Sequence, residues 1–171
     1  MAACISRVEN IKPQYETKSQ IPMNVNSITV VQKFNPYSKT PESDQLFSKT
    51  LVQNVEKWAK HRILPISPYG IAQITVKEAS IIELPNSQNL QELEGRLDVV
   101  VTLIDKNGTT LSSAEASIRR NKPALQNLTE EEHKAFTQVL IAQLVDALDK
   151  EMEDILFKKL NTAKNLRNPV N

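Results

Sequence analysis

Cys4 is the one cysteine in 171 residues, and it follows Met1, Ala2 and Ala3. A run of small residues directly ahead of a near-terminal cysteine is what a bacterial lipoprotein signal peptidase reads. The chemistry expected at Cys4 is therefore S-alkylation by a diacylglycerol, with cleavage of the chain in front of it. On this reading residues 1–3 are the remnant of a signal peptide whose charged and apolar parts lie upstream of Met1. Ile5, not Asp, follows the cysteine. By analogy with enteric lipoproteins, that choice directs a lipidated protein to the outer membrane.

Other chemistry-bearing residues are sparse. The two histidines, His61 and His133, sit in a basic stretch and an acidic stretch and lack the helical partner that a zinc site needs. No nucleophile elbow, Walker loop or dinucleotide fingerprint occurs. With Gly at 3 positions, a glycine-rich phosphate cradle is not expected. Net charge is +1 and aromatic residues are 5%, which speaks against a nucleic-acid surface. No run reaches the roughly 20 apolar residues of a membrane span. The expectation is a binding protein without a cofactor or metal, and not an enzyme.

The remaining candidates lie in expected strands, where charged side chains stand out. Glu78, Arg96, Glu115, Arg119 and Arg120, together with Val100, outline a possible partner surface. The competing reading is cross-strand ion pairing on a solvated face, with Asp98 diagonal to Arg119.

The elements that position these residues are legible in the spacing. Residues 5–27 show no sustained period and read as a tether, at most about 80 Å when extended. Ile28–Phe34 reads as a strand. Phe47 or Leu46, Leu51, Val55, Trp58, Ala59 and Arg62 or Ile63 recur at helical spacing within residues 41–63. A long strand runs from Gly70 to about Leu84, with a bulge expected near Glu78, where apolar residues switch parity. Asn107-Gly108 predicts a two-residue hairpin turn, placing Lys106 opposite Thr109. That register pairs Leu103 with Ser112, Val101 with Ala114, Val99 with Ala116 and Leu97 with Ile118. Thr129 and Glu132 form a capping box for a helix running to about Leu160. Its apolar stripe includes Leu140, Leu144, Leu148, Met152 and Leu156. The order β-α-β-β-β-α predicts an α+β two-layer sandwich over residues 28–163: a mostly antiparallel four-stranded sheet with two helices on one face. Residues 164–171 read as a polar tail.

Beyond MAAC, the segments WAKHRI, ITVKEASIIE, LEGRLDVVVTLID and AEASIRR and the long C-terminal helix resemble small lipoproteins of alphaproteobacteria and related bacteria. The resemblance spans roughly residues 44–160. The element order also resembles periplasmic accessory folds such as the lipopolysaccharide-assembly lipoprotein. These resemblances imply a lipid-anchored envelope protein facing the periplasm. They imply an accessory role in assembly or transport, with the membrane and an envelope protein as partners. The alternative is a cytosolic interaction or dimerisation module without an anchor.

Overall fold

The computed structural model describes residues 12–35, 42–85, 91–123 and 129–165. Cys4, the first part of the expected tether and the end of the polar tail lie outside the described residues.

The expected sandwich is present. Four strands form one sheet in the order β2 (Ser27–Gln32), β4 (Ile71–Pro85), β5 (Gln91–Ile104) and β6 (Thr110–Pro123). β4, β5 and β6 are antiparallel neighbours, whereas β2 runs parallel to β4. A parallel pair needs a crossover, and α1 (Glu42–Arg62) supplies it. α2 (Glu130–Asn165) closes the chain and is about 54 Å long at 1.5 Å per residue. It runs past the Leu160 expected from the stripe.

Both helices bury their apolar faces in one core. Phe47, Leu51, Val55, Trp58 and Ala59 come from α1, and Leu140, Leu144, Leu148, Met152 and Leu156 from α2. The sheet contributes Ala72, Ile74, Val76, Ala79, Leu97, Val99, Val101, Ala114, Ala116 and Ile118. Each large side chain so buried contributes about 1.5–3 kcal/mol of transfer free energy. Small residues on β6 and Gly95 on β5 let α2 come close. A Cβ built on Gly95 would lie 2.9 Å from Leu144 Cδ1 and 3.2 Å from Leu140 Cγ.

The hairpin register is the expected one: Leu103 pairs with Ser112, Val101 with Ala114, Val99 with Ala116 and Leu97 with Ile118. The turn differs. Asp105 N–H donates to the Thr109 carbonyl at 2.9 Å, so three residues, not two, close the loop. Gly108 takes φ +83, and the Asp105 carboxylate accepts from the N–H groups of Asn107 and Thr109, both at 2.8 Å. The register shift between Leu103 and Ile104 leaves Leu111 as an extra residue on β6, which restores the expected pairing. The second bulge also falls where expected. Val76 pairs with Val99 and Glu78 with Asp98, leaving Lys77 extra. Just beyond it the buried Ser48 hydroxyl donates to the Ala79 carbonyl at 2.6 Å, tying α1 to β4.

The main departure is at the N-terminal side. The stretch read as tether up to residue 27 is packed against the domain from Gln14 onward. A 3-10 turn (Gln14–Thr17) is followed by β1 (Ile21–Met23), which pairs in parallel with β3 (Ile63–Pro65) as a separate two-stranded sheet. Tyr15, Ile21, Met23 and Val25 are all buried in the main core. Ile21, Met23 and Val25 alternate with exposed Pro22 and Asn24, a run too short to stand out as a period, and burial together with the β1–β3 ladder repays the order.

Candidate functional site

The face of the sheet away from the helices carries the predicted surface residues except Arg120, which pairs with Gly95 and so lies on the helix side, and pairing places them in rows. Val31, Thr75, Val100 and Glu115 form one row across all four strands. Glu78, Asp98 and Ser117 form a row beside it, and Ser80, Arg96 and Arg119 another. The structure thus brings Glu78, Arg96, Val100, Glu115 and Arg119 onto one face.

Their charges are matched within the face. Arg119 Nη1 donates to Asp98 Oδ1 at 2.8 Å, and its Nη2 to Oδ2 at 3.3 Å, in the diagonal expected from the register. Glu78 Oε2 lies 3.7 Å from Arg119 Nη2. Glu78 also accepts from the Ser80 hydroxyl at 2.9 Å. Lys77, the bulge residue, reaches Glu115 at 2.6 Å, and Arg96 pairs with Glu94 on its own strand. Arg96 and Arg119 face each other directly, so these carboxylates offset a like-charge contact.

Burial alone would raise the Asp98 carboxyl. Hydrogen bonds from Arg119 and Ser117 and the Arg119 charge outweigh it and hold Asp98 below its ordinary value. The same bond raises Arg119, and the Glu115 carboxylate raises Lys77. Thr75, in the middle of the face, is 6% exposed although no described helix or strand is stacked over it. The surface therefore offers a flat row of Val31, Thr75 and Val100 edged by half-exposed ion pairs. Such an edge can trade internal partners for external ones at small cost.

A second constellation joins residues far apart in the sequence. Asp149 on α2 is 1% exposed and accepts three side-chain hydrogen bonds. Trp58 Nε1 donates to Oδ1 at 2.9 Å, Arg62 Nε to Oδ1 at 2.6 Å, and Lys18 Nζ to Oδ2 at 2.8 Å. Lys18 and the Arg62 guanidinium also approach Glu153, at 3.0 and 3.2 Å. Arg62 Nη1 donates to the Ser19 carbonyl. Its Nη2 is near Glu153 but off hydrogen-bond geometry, and it has no hydrogen-bond partner among the described residues. One turn earlier, Asp146 Oδ1 accepts from the backbone N–H groups of Gln14 at 2.7 Å and Tyr15 at 3.4 Å.

The two carboxylates respond oppositely. Burial pushes Asp149 up, but the bonds from Lys18, Arg62 and Trp58 pull it below its ordinary value. Asp146 is raised, because burial outweighs its two backbone donors. Tyr15 is pushed up to about 12 by burial and then by the charges of Glu16, Asp146 and Asp149. This cluster fastens residues 14–19 to both helices. Arg62 fell on the expected apolar stripe of α1, a position whose occupation by a cation was the available signal.

No group of three or more His, Cys, Asp or Glu side chains among the described residues could hold a metal ion. No helix among them is long and apolar enough to cross a membrane.

No protein-family model and no curated protein matches the chain. Some solved structures are similar to it. One is a minor lipoprotein from Acinetobacter baumannii, at 13% identity and TM-score 0.41, covering 74% of this chain and 86% of that one. Another is the rare lipoprotein B from Shewanella oneidensis, at 11% identity and TM-score 0.43, covering 81% and 99%. A third is a protein from Xanthomonas campestris, at 13% identity and TM-score 0.42, covering 84% and 90%. Likeness at this level assigns no function to this chain.

Proposed function

We propose that the protein is a lipid-anchored component of a bacterial cell envelope that works by binding a protein partner in envelope assembly or transport. The observation that carries the reading is Cys4 behind Met1-Ala2-Ala3 in a chain with no other cysteine. Acylation there places the domain at a membrane surface, facing the periplasm, and Ile5 favours the outer membrane. The recognition surface is the uncovered sheet face, with Val100 at its centre and Glu78, Arg96, Glu115 and Arg119 around it. The geometry that these residues adopt is suited to contact and ion-pair exchange.

Packing of residues 14–25 shortens the link between anchor and domain. From Cys4 to Lys12 an extended chain reaches at most about 28 Å. The domain is thereby held close to the bilayer rather than displayed on a long leash.

Metabolic labelling with radioactive palmitate, in bacteria expressing the gene with its upstream sequence, tests the proposal. Label on the wild-type chain and none on Cys4→Ser supports it. An unlabelled wild-type chain in the soluble fraction defeats it.

A further inference from the structure

One end of the molecule is unusually apolar. The large hydrophobic side chains that remain well exposed among the described residues are Leu46, Leu64, Ile66, Tyr69, Ile71 and Leu111. All but Leu46 belong to β3, the β3–β4 connection, the start of β4 and the hairpin bulge. These segments meet at one place. Ile71 is the strand partner of Ile104, and Ile104 pairs with Thr110, the neighbour of Leu111. Lys106, at the hairpin tip, places Nζ 5.8 Å from the centroid of the Tyr69 ring. Ile66 N–H donates to the Met23 carbonyl at 3.0 Å, and Asn26 N–H to the Gly70 carbonyl at 2.9 Å. The β1–β2 and β3–β4 connections are thus laced together under the same end.

Tyr69, at 63% exposed, and Ile66, at 58%, leave most of their apolar surface to water in the monomer. Exposed apolar side chains gathered at one site mark a surface that meets something else. Its composition points to a bilayer interface: aliphatic side chains, an amphipathic tyrosine ring and a lysine whose stem can run along apolar surface while its ammonium reaches headgroups. Lys60 lies in the last turn of α1, which leads directly into β3 and adds positive charge on that side.

The route of the chain gives the orientation. Tyr15 lies edge-on to His61, with ring centroids 5.8 Å apart, so the described chain starts beside the last turn of α1. A chain acylated at Cys4 therefore enters the domain near the end that carries Leu64 and Ile66. We infer that Leu64, Ile66, Tyr69, Ile71 and Leu111, with Lys106, form a membrane-interface contact that seats the domain directly on the bilayer. The inference rests on the anchored reading for its orientation. The uncovered sheet face then stands beside the membrane, open to a partner.

Flotation of the full-length Cys4→Ser chain with vesicles of phosphatidylethanolamine and phosphatidylglycerol tests it without the acyl group. The expected result is weak but measurable binding by the unacylated chain. Tyr69→Ser with Leu111→Ser lowers that binding roughly tenfold or more, since apolar area is lost at an exposed site. Leu46→Ser, at the far end of α1, leaves it unchanged. Absence of binding by the Cys4→Ser chain overturns the inference. So does an equal effect of Leu46→Ser, or a dimer in light scattering that Leu111→Ser dissolves, which would assign the patch to a second copy. A missing acyl group on the wild-type chain is a separate result and counts against the anchor alone.

Discussion

Arg62 Nε lies 2.6 Å from Asp149 Oδ1, and the two side chains are 2% and 1% exposed. This pair stands where α1, α2 and the N-terminal arm meet. Lys18 and Trp58 share the same carboxylate, so the ion pair is hydrogen-bonded on both oxygens. Without Asp149, Arg62 would be a buried cation, and the arm would lose its main polar fastening.

Asp149→Asn and Arg62→Met are each expected to cost about 3 kcal/mol, the low end for breaking a buried pair, because Glu153 still faces Arg62 and Lys18 still faces Asp149. Arg62→Met combined with Asp149→Leu is expected to cost less than the sum. Urea denaturation of the three variants checks this. Losses below about 1 kcal/mol for the single changes would contradict a buried pair.

Asp146→Asn carries the opposite expectation. The folded state raises the Asp146 carboxyl, so its ionised form opposes folding above the ordinary carboxylate range. An Asn carbonyl can still accept the Gln14 and Tyr15 N–H groups. The variant is expected to match or exceed wild-type stability at pH 7, in contrast with Asp149→Asn one turn away. Parallel urea titrations decide the sign.

Tyr15 predicts an alkaline limb. Its phenol is raised from 10.0 to about 12, so the neutral form is favoured in the fold. The corresponding stability is fully present below pH 10 and is lost as pH rises toward 12. The loss is on the order of 2–3 kcal/mol for a phenol moved from 10.0 to about 12. Tyr15→Phe should flatten that limb. Stability measured from pH 9 to 12 tests this, and identical curves for both proteins would refute it.

Gly95→Ala is expected to destabilise by about 1–3 kcal/mol, since its Cβ would press on Leu140 and Leu144, both fully buried. Arg119→Ala is expected to change stability by no more than about 1 kcal/mol, because its ion pairs are half-exposed. A thermal or urea comparison of the two variants separates core packing from surface pairing.

Particular residues show why some of this was legible in the sequence. Leu97, Val99, Val101 and Leu103 face Ile118, Ala116, Ala114 and Ser112 because a period of two fixes both face and register. The same logic placed a bulge near Glu78, where the structure leaves Lys77 extra, and the diagonal from Asp98 to Arg119. The turn was misread because Asn-Gly suits both a two-residue loop and a three-residue loop with Gly at positive φ. The bulge at Leu111 hides the difference from every later pair. The arm was missed because its fastening is non-local: Lys18 reaches Asp149 across 131 residues of sequence. The alternation of Ile21, Met23 and Val25 is too short to stand out from its surroundings. The charged sheet face was legible as a set of residues, but its internal pairing required the register first.

Intact mass spectrometry of the membrane fraction, from bacteria expressing the gene with its upstream sequence, tests the central claim most directly. The account predicts a chain that begins at Cys4 and carries the added mass of a diacylglycerol, absent from Cys4→Ser. A chain with an unmodified Cys4, recovered as soluble protein, would contradict it.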